Sequence, residues 1–206
     1  MANTNSNLPL SNEDISIRLF DSDFLEFFTY FHFSTPLVIF VPVLSYCMYK
    51  ALHSSRISPL TLLSGILAGL VLWSFTEYMT HRFLFHAQAG SGKGKRILFL
   101  FHGVHHDYPR DSKRLVMTPF ASIPASIASF YLFHWAFGAA YGIAIFIGFV
   151  AGYVVYDMIH YMLHHCSNKF LSLKKYHLRH HYSDHDRGFG VTTPFWDGVF
   201  HTQFRK

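Results

Sequence analysis

Apolar residues along this chain gather into long runs separated by polar flanks. A hydrocarbon core about 30 Å thick needs roughly 20 mostly apolar helical residues. Runs of that kind lie at 36–52, 59–79, 119–137 and 139–163 and predict two helical hairpins across a membrane. Pro42 interrupts the first run, and Ser122, Pro124, Ser126, Ser129 and His134 dilute the third, so these two also admit a reading as buried core helices. Gly65/Gly69, Gly138/Gly142 and Gly148/Gly152 have the small-xxx-small spacing that lets membrane helices approach closely.

Four spans put both termini and segment 80–118 on one side. That side carries 15 of the 17 Lys and Arg residues, against Lys50 and Arg56 opposite, and the positive-inside rule makes it cytoplasmic. The expected organisation is all-α: four transmembrane helices with a cytoplasmic helical cap. Residues 1–33 read as a polar arm with a candidate interfacial helix. Residues 34–206 form one domain, with a cap at 80–118 and 164–206; within the cap, 89–95 (AGSGKGK) reads as a loop. The polar start does not resemble a cleavable signal peptide, so insertion relies on internal segments.

Composition agrees with lipid surroundings. The chain is 50% hydrophobic and 14% charged, against about 25% charged in an average soluble domain. Its net charge of +5 does not indicate nucleic acid, because Lys and Arg form no aromatic-interleaved strip. Cys47 and Cys166 provide neither a disulfide framework nor a zinc ribbon.

The candidate chemistry is in the 16 histidines. Ten fall in four clusters: His81-x4-His86, His102-x2-His105-His106, His160-x3-His164 and His177-x2-His180-His181. Twice, an apolar helix ends in two histidines and an HxxHH follows, so one unit is used twice. Helical spacing lets His102 converge with His106, His177 with His181, and His160 with His164. His81 and His86, five apart, would diverge by about 140° on an ideal α-helix, so they bracket a helix end or serve different ions. Neutral imidazole suits iron, zinc, copper and nickel, and ten ligands suffice for two ions at about five each. His32, His53 and His134 have no such partners and read as structural, while His165, His185 and His201 stand near the clusters.

Metal-bound histidines usually give their other ring N–H to a carboxylate or carbonyl. Glu77, four before His81, and Asp157, three before His160, are the expected supports; Asp107, Asp184 and Asp186 have a weaker claim. No Glu follows the Glu-x-x-His pattern of soluble di-iron bundles. A nearly all-histidine site beside apolar helices suits oxygen chemistry on an acyl chain. The clusters alone leave hydroxylation and desaturation open.

HRFLFH (81–86), HGVHHDYPRDSKRLVMTP (102–119), GYVVYDMIHYMLHH (152–165) and YHLRHHYSDHDRGFGVTTPFWDGVF (176–200) resemble the fatty acid 2-hydroxylase branch of the fatty acid hydroxylase and sterol desaturase superfamily. The likeness reaches beyond the histidines to Pro109, Asp111, Arg114 and the Trp196-Asp197 pair. It implies 2-hydroxylation of a fatty acyl chain, often the N-acyl chain of a sphingolipid, with O2 and two electrons. It also implies two iron ions on His81, His86, His102, His105, His106, His160, His164, His177, His180 and His181. Zinc could occupy the site in a purified sample and would be inactive.

Many fungal and animal members carry a fused cytochrome b5 domain, for which the N-terminal arm has no room. An external donor is expected, such as cytochrome b5 or ferredoxin with its reductase. The chain resembles the shorter plant and bacterial forms, except that His201 stands where the closing motif has a small residue. The expected location is the endoplasmic reticulum in a eukaryote or the inner membrane in a bacterium. Competing readings are another superfamily oxygenase acting on a sterol, carotenoid or alkylglycerol, a histidine-rich metal transporter, and a haem carrier. Transporters place ligands near the bilayer midplane, and crowded HxxHH clusters do not suit axial haem ligation.

Overall fold

Each long apolar run becomes helix because, inside a membrane, only intrasegment bonding satisfies every backbone N–H and C=O. The computed structural model describes residues 9–166 and 171–204; the outlying parts of the expected arm and cap, 1–8, 167–170 and 205–206, lie outside the described residues. All regular elements among the described residues are helical. They are α1 (Asp23–Phe27), α2 (Thr35–Leu52), α3 (Pro59–Met79), α4 (Gly92–Leu98), α5 (Val104–Asp107), α6 (Pro119–His165), α7 (Leu171–Tyr182) and α8 (Phe195–Val199). Two π-helical segments, Thr80–Phe85 and Phe99–Gly103, follow α3 and α4.

Among the described residues, three stretches are long and apolar enough to cross a membrane: Thr35–Leu52, Pro59–Phe85 and Pro119–His165. The last is broken at Gly138, whose φ of 73° and ψ of 168° leave the helical region. Only glycine takes that conformation without steric cost. The chain doubles back there. Ring centroids of Phe130 and Phe146, and of Phe133 and Phe149, lie 5.2 Å apart.

Two units divide the chain, one from Phe31–Thr76 and Val116–Met158, the other from Met1–Tyr30, Glu77–Leu115 and Ile159–Lys206. The first is apolar, with a core that includes Phe40, Leu62, Phe133, Ala144, Ile145 and Val150. Helices there touch backbone to backbone: a Cβ at Gly148 would overlap the carbonyl of Ile66. Small residues at such crossings let dispersion contacts replace the hydrophobic drive that lipid removes.

The second unit is held by polar side chains. Buried Arg114 binds Asp111 at 2.9 Å and Glu26 at 2.8 Å. The other Glu26 oxygen accepts from the N–H groups of Leu19 (2.9 Å) and Phe20 (2.8 Å). Ser16 donates to Asp111 (2.6 Å), and Asp14 accepts from the Ser112 N–H (2.9 Å). The described part of the polar arm is thus strapped down along its length. Its single helical turn, α1, turns Glu26 inward and leaves Phe24 71% and Phe27 62% exposed.

Candidate metal centre

Backbone geometry at the end of α3 resolves the five-residue spacing of His81 and His86. In the wider π turn the His86 N–H donates to the His81 carbonyl (3.2 Å), and the two rings come to 5.0 Å between centroids. π turns of this kind recur at functional sites because they re-aim side chains. A second π segment, with the Val104 N–H bonded to the Phe99 carbonyl, carries His102 and leads into α5, which carries His105 and His106. His160 and His164 sit one α-turn apart at the end of α6, and α7 carries the second HxxHH.

All ten clustered histidines meet in two groups of five. His81, His86, His102, His106 and His180 form one; His105, His160, His164, His177 and His181 form the other. Within each group, one ligand nitrogen from each ring lies within 4.8 Å of all the rest. Nε2 of His102 is 3.0 Å from those of His81 and His106, and Nε2 of His180 is 3.1 Å from that of His86. Across the second group, Nε2 of His177 lies 2.9 Å from that of His164 and 3.1 Å from that of His181.

Each HxxHH is shared between the groups. First and third histidines, four apart, face one way, whereas the middle one faces the other. His102 and His106 therefore join one group and His105 the other, and α7 repeats this with His177 and His181 against His180. The rings of His106 and His181 stack at 4.3 Å where the groups adjoin.

The donor set fits a pair of cations. Burial first, then neighbouring imidazoles, hold His102, His105, His106, His177 and His181 far below the usual imidazole range, and burial with His180 and His185 pushes His86 down to about 3. These rings are neutral at pH 7, the form that binds metal. Both ring nitrogens of buried His105 have no hydrogen-bond partner, although its ring is 4.6 Å from those of His160 and His181. A buried polar atom in that state costs free energy unless something binds it, and converging lone pairs call for positive charge.

Second nitrogens of His81 and His180 are anchored on the backbone. Nδ1 of His81 donates to the Phe189 carbonyl (2.6 Å) and Nδ1 of His180 to the Arg187 carbonyl (2.7 Å), which leaves both Nε2 lone pairs aimed at the group. Glu77 meets this loop: Oε1 accepts from the N–H groups of Val191 and Thr192, each at 2.8 Å, and Oε2 from the Thr192 hydroxyl at 2.6 Å. Fully buried Asp157 accepts from the Met117 N–H at 3.3 and 3.4 Å. Sequence reasoning assigned no role to Asp197, which is fully buried against the same loop as Glu77. Its apolar neighbours in PFWDGVF were the available signal, since an acidic residue is costly in such a run.

The other histidines stand outside these two groups. Nδ1 of His32 lies 2.8 Å from Ser34 Oγ, while His53 and His134 donate to the carbonyls of Tyr49 and Phe130, each at 2.9 Å. His165 stacks on Tyr161, and His201 is exposed with a φ of 56°. His185 packs 4.7 Å from the His106 ring and donates to the His181 carbonyl at 2.9 Å. Asp184 pairs with Arg187 at 3.5 Å.

Residues 66–202 match the model of a family described as fatty acid hydroxylase. The chain is 37% identical over 189 residues to a dihydroceramide fatty acyl 2-hydroxylase of Arabidopsis thaliana, covering 90% of this chain and 79% of that one. It is 37% identical over 212 residues to the fatty acid 2-hydroxylase of Mus musculus, covering 90% and 56%. A solved structure of full-length scs7p, with only the hydroxylase domain visible, aligns with a TM-score of 0.83 at 37% identity over 89% of this chain and 70% of that one. A fold and a histidine arrangement reached from the residues thus coincide with a likeness over most of the chain, and the chain belongs to the fatty acid hydroxylase family.

Proposed function

We propose that this chain is an oxygen-dependent membrane hydroxylase that places a hydroxyl group on C2 of a fatty acyl chain, either a free fatty acid or the N-acyl chain of a sphingolipid. The observation that carries this reading is the pair of five-histidine groups in a chain whose relatives bear that activity in their names. One oxygen atom of O2 enters the C2–H bond and the other leaves as water, with two electrons and two protons supplied from outside.

Two iron ions, one per histidine group, would supply O2 activation when bound. His81, His86, His102, His106 and His180 would hold one; His105, His160, His164, His177 and His181 would hold the other. The residues themselves contribute burial, which keeps bulk water from the two histidine groups, and fixed tautomers at His81 and His180. Glu77 supports His81 through the loop at 188–192. Asp157, three positions before His160 in α6, is the second carboxylate assigned a part in the site; unchanged metal content and turnover in Asp157→Asn would remove that role.

The basic balance of the chain supports four crossings, the two halves of α6 counting separately, with the histidines and the cap at 80–118 and 164–206 on the cytoplasmic face. Residues 1–33 form the arm and 34–206 the hydroxylase domain. The endoplasmic reticulum or a bacterial inner membrane would be the host, with cytochrome b5 or ferredoxin and its reductase as donor.

The deciding experiment is anaerobic iron loading followed by turnover under 18O2 with labelled fatty acid and ceramide and an electron donor. A 2-hydroxy product carrying one 18O atom is expected by mass spectrometry. Oxidised sterols or carotenoids with no 2-hydroxy acid would overturn the reading.

A further inference from the structure

The loop at 188–192 is gripped by two buried carboxylates. Asp197 Oδ1 accepts from the Phe189 N–H (2.9 Å) and Oδ2 from the Gly190 N–H (2.9 Å), and Glu77 takes the next two N–H groups. Four successive N–H donors are thus fixed by two acidic side chains. Asp197 is itself fixed: the Thr202 hydroxyl donates to Oδ1 at 2.7 Å and lies 2.9 Å from the Tyr78 hydroxyl.

One peptide unit matters most. The Gly190 N–H that meets Asp197 belongs to the same peptide group as the Phe189 carbonyl, which accepts Nδ1–H of His81. Carboxylate, peptide and imidazole form one chain of charge-assisted hydrogen bonds, and each bond in such a chain polarises the next. The carboxylate thereby enriches the Nε2 lone pair of His81 without touching the ring. We infer that Asp197 is a positioning residue for the ion held by His81, His86, His102, His106 and His180, and acts on it through the Phe189–Gly190 peptide. This rests on the two-metal reading above.

The test is titration of the full-length, chelator-stripped chain with Co(II), read by its visible ligand-field bands, for wild type and Asp197→Asn. An amide cannot accept from both loop N–H groups with both atoms, so the relay loses its charge and one bond. Wild type should bind two equivalents. The variant should bind one of them about 10- to 100-fold more weakly, with a shifted band, and the other unchanged, as the loss of an outer partner of a metal ligand implies.

Two unchanged equivalents, or two weakened alike with only a lower melting temperature, would overturn the inference. Should the variant not fold, Thr202→Val, which removes the hydroxyl that fixes Asp197 Oδ1, is read the same way, and it must weaken the same equivalent. In wild type, metal loading must also slow amide exchange at 188–192; unaltered exchange counts against the relay. Fewer than two equivalents in wild type would instead strike the two-metal reading itself.

Discussion

In the apolar unit, helix positions are set by volume, with Gly148 admitting the Ile66 carbonyl and Phe133 packing on Phe149. In the histidine unit they are set by donors and acceptors, with Arg114, Glu26, Glu77, Asp111 and Asp197 all buried and bonded. Dispersion is non-directional and tolerates repacking at constant volume. A buried polar network fails when one partner is lost, because the remaining group keeps its desolvation cost. Substitutions at the helix crossings of the apolar unit should therefore register as stability, and those in the polar network of the histidine unit as loss of the site.

The largest expected effect that would break this contrast comes from His105→Gln. It removes one ring from the second group while its neighbours His102 and His106 still serve the first. Metal per chain should fall from two toward one by elemental analysis, and turnover by more than the roughly hundredfold upper range for outer partners. Full metal content would mean that the groups do not act as drawn.

Next is Arg114→Met, which leaves Glu26 and Asp111 buried without their cation. Removing one partner from a buried pair costs about 3–5 kcal/mol, to be read by chemical denaturation in detergent. Smaller is Gly148→Ala, whose Cβ presses on the Ile66 carbonyl, with an overpacking cost of about 1–3 kcal/mol and no change in metal per folded chain. Metal loss at unchanged stability would erase the distinction between the units.

The smallest effect is a pH dependence of the arm. Burial pushes the Glu26 carboxyl up, but the N–H groups of Phe20 and Leu19, the Arg114 guanidinium and Thr29 outweigh it and hold it below its ordinary 4.5. The folded arm thus binds that proton more weakly than the unfolded chain. Its stabilisation is complete above 4.5 and drains away as pH falls through the lower folded value. Hydrogen exchange across residues 18–29 should accelerate over that window, and Glu26→Gln should remove the dependence.

Much of this was legible in the amino acids. Apolar runs of sufficient length announced the helical class, and spacing of three and four placed His102 with His106 and His177 with His181 on common faces. The five-residue spacing of His81 and His86 was ambiguous because it depends on a π turn, which no local residue signal marks. The partition of each HxxHH between two groups needs three-dimensional neighbours. Long-range bonds were equally hidden: Glu26 and Arg114 are 88 positions apart, and Asp197 matters through a peptide hydrogen-bonded to a ring more than a hundred positions away.

Gly138 carries a consequence for biogenesis. A reversal in the middle of α6 makes that stretch an even-crossing element wherever both of its halves enter the bilayer. Chain entering at Pro119 and leaving at His165 then emerges on one face whichever way the pair inserts. A translocation error would invert His102–His106 and His177–His181 together and could not part them, so parity protects the meeting of the two motifs even where charge fails to orient it.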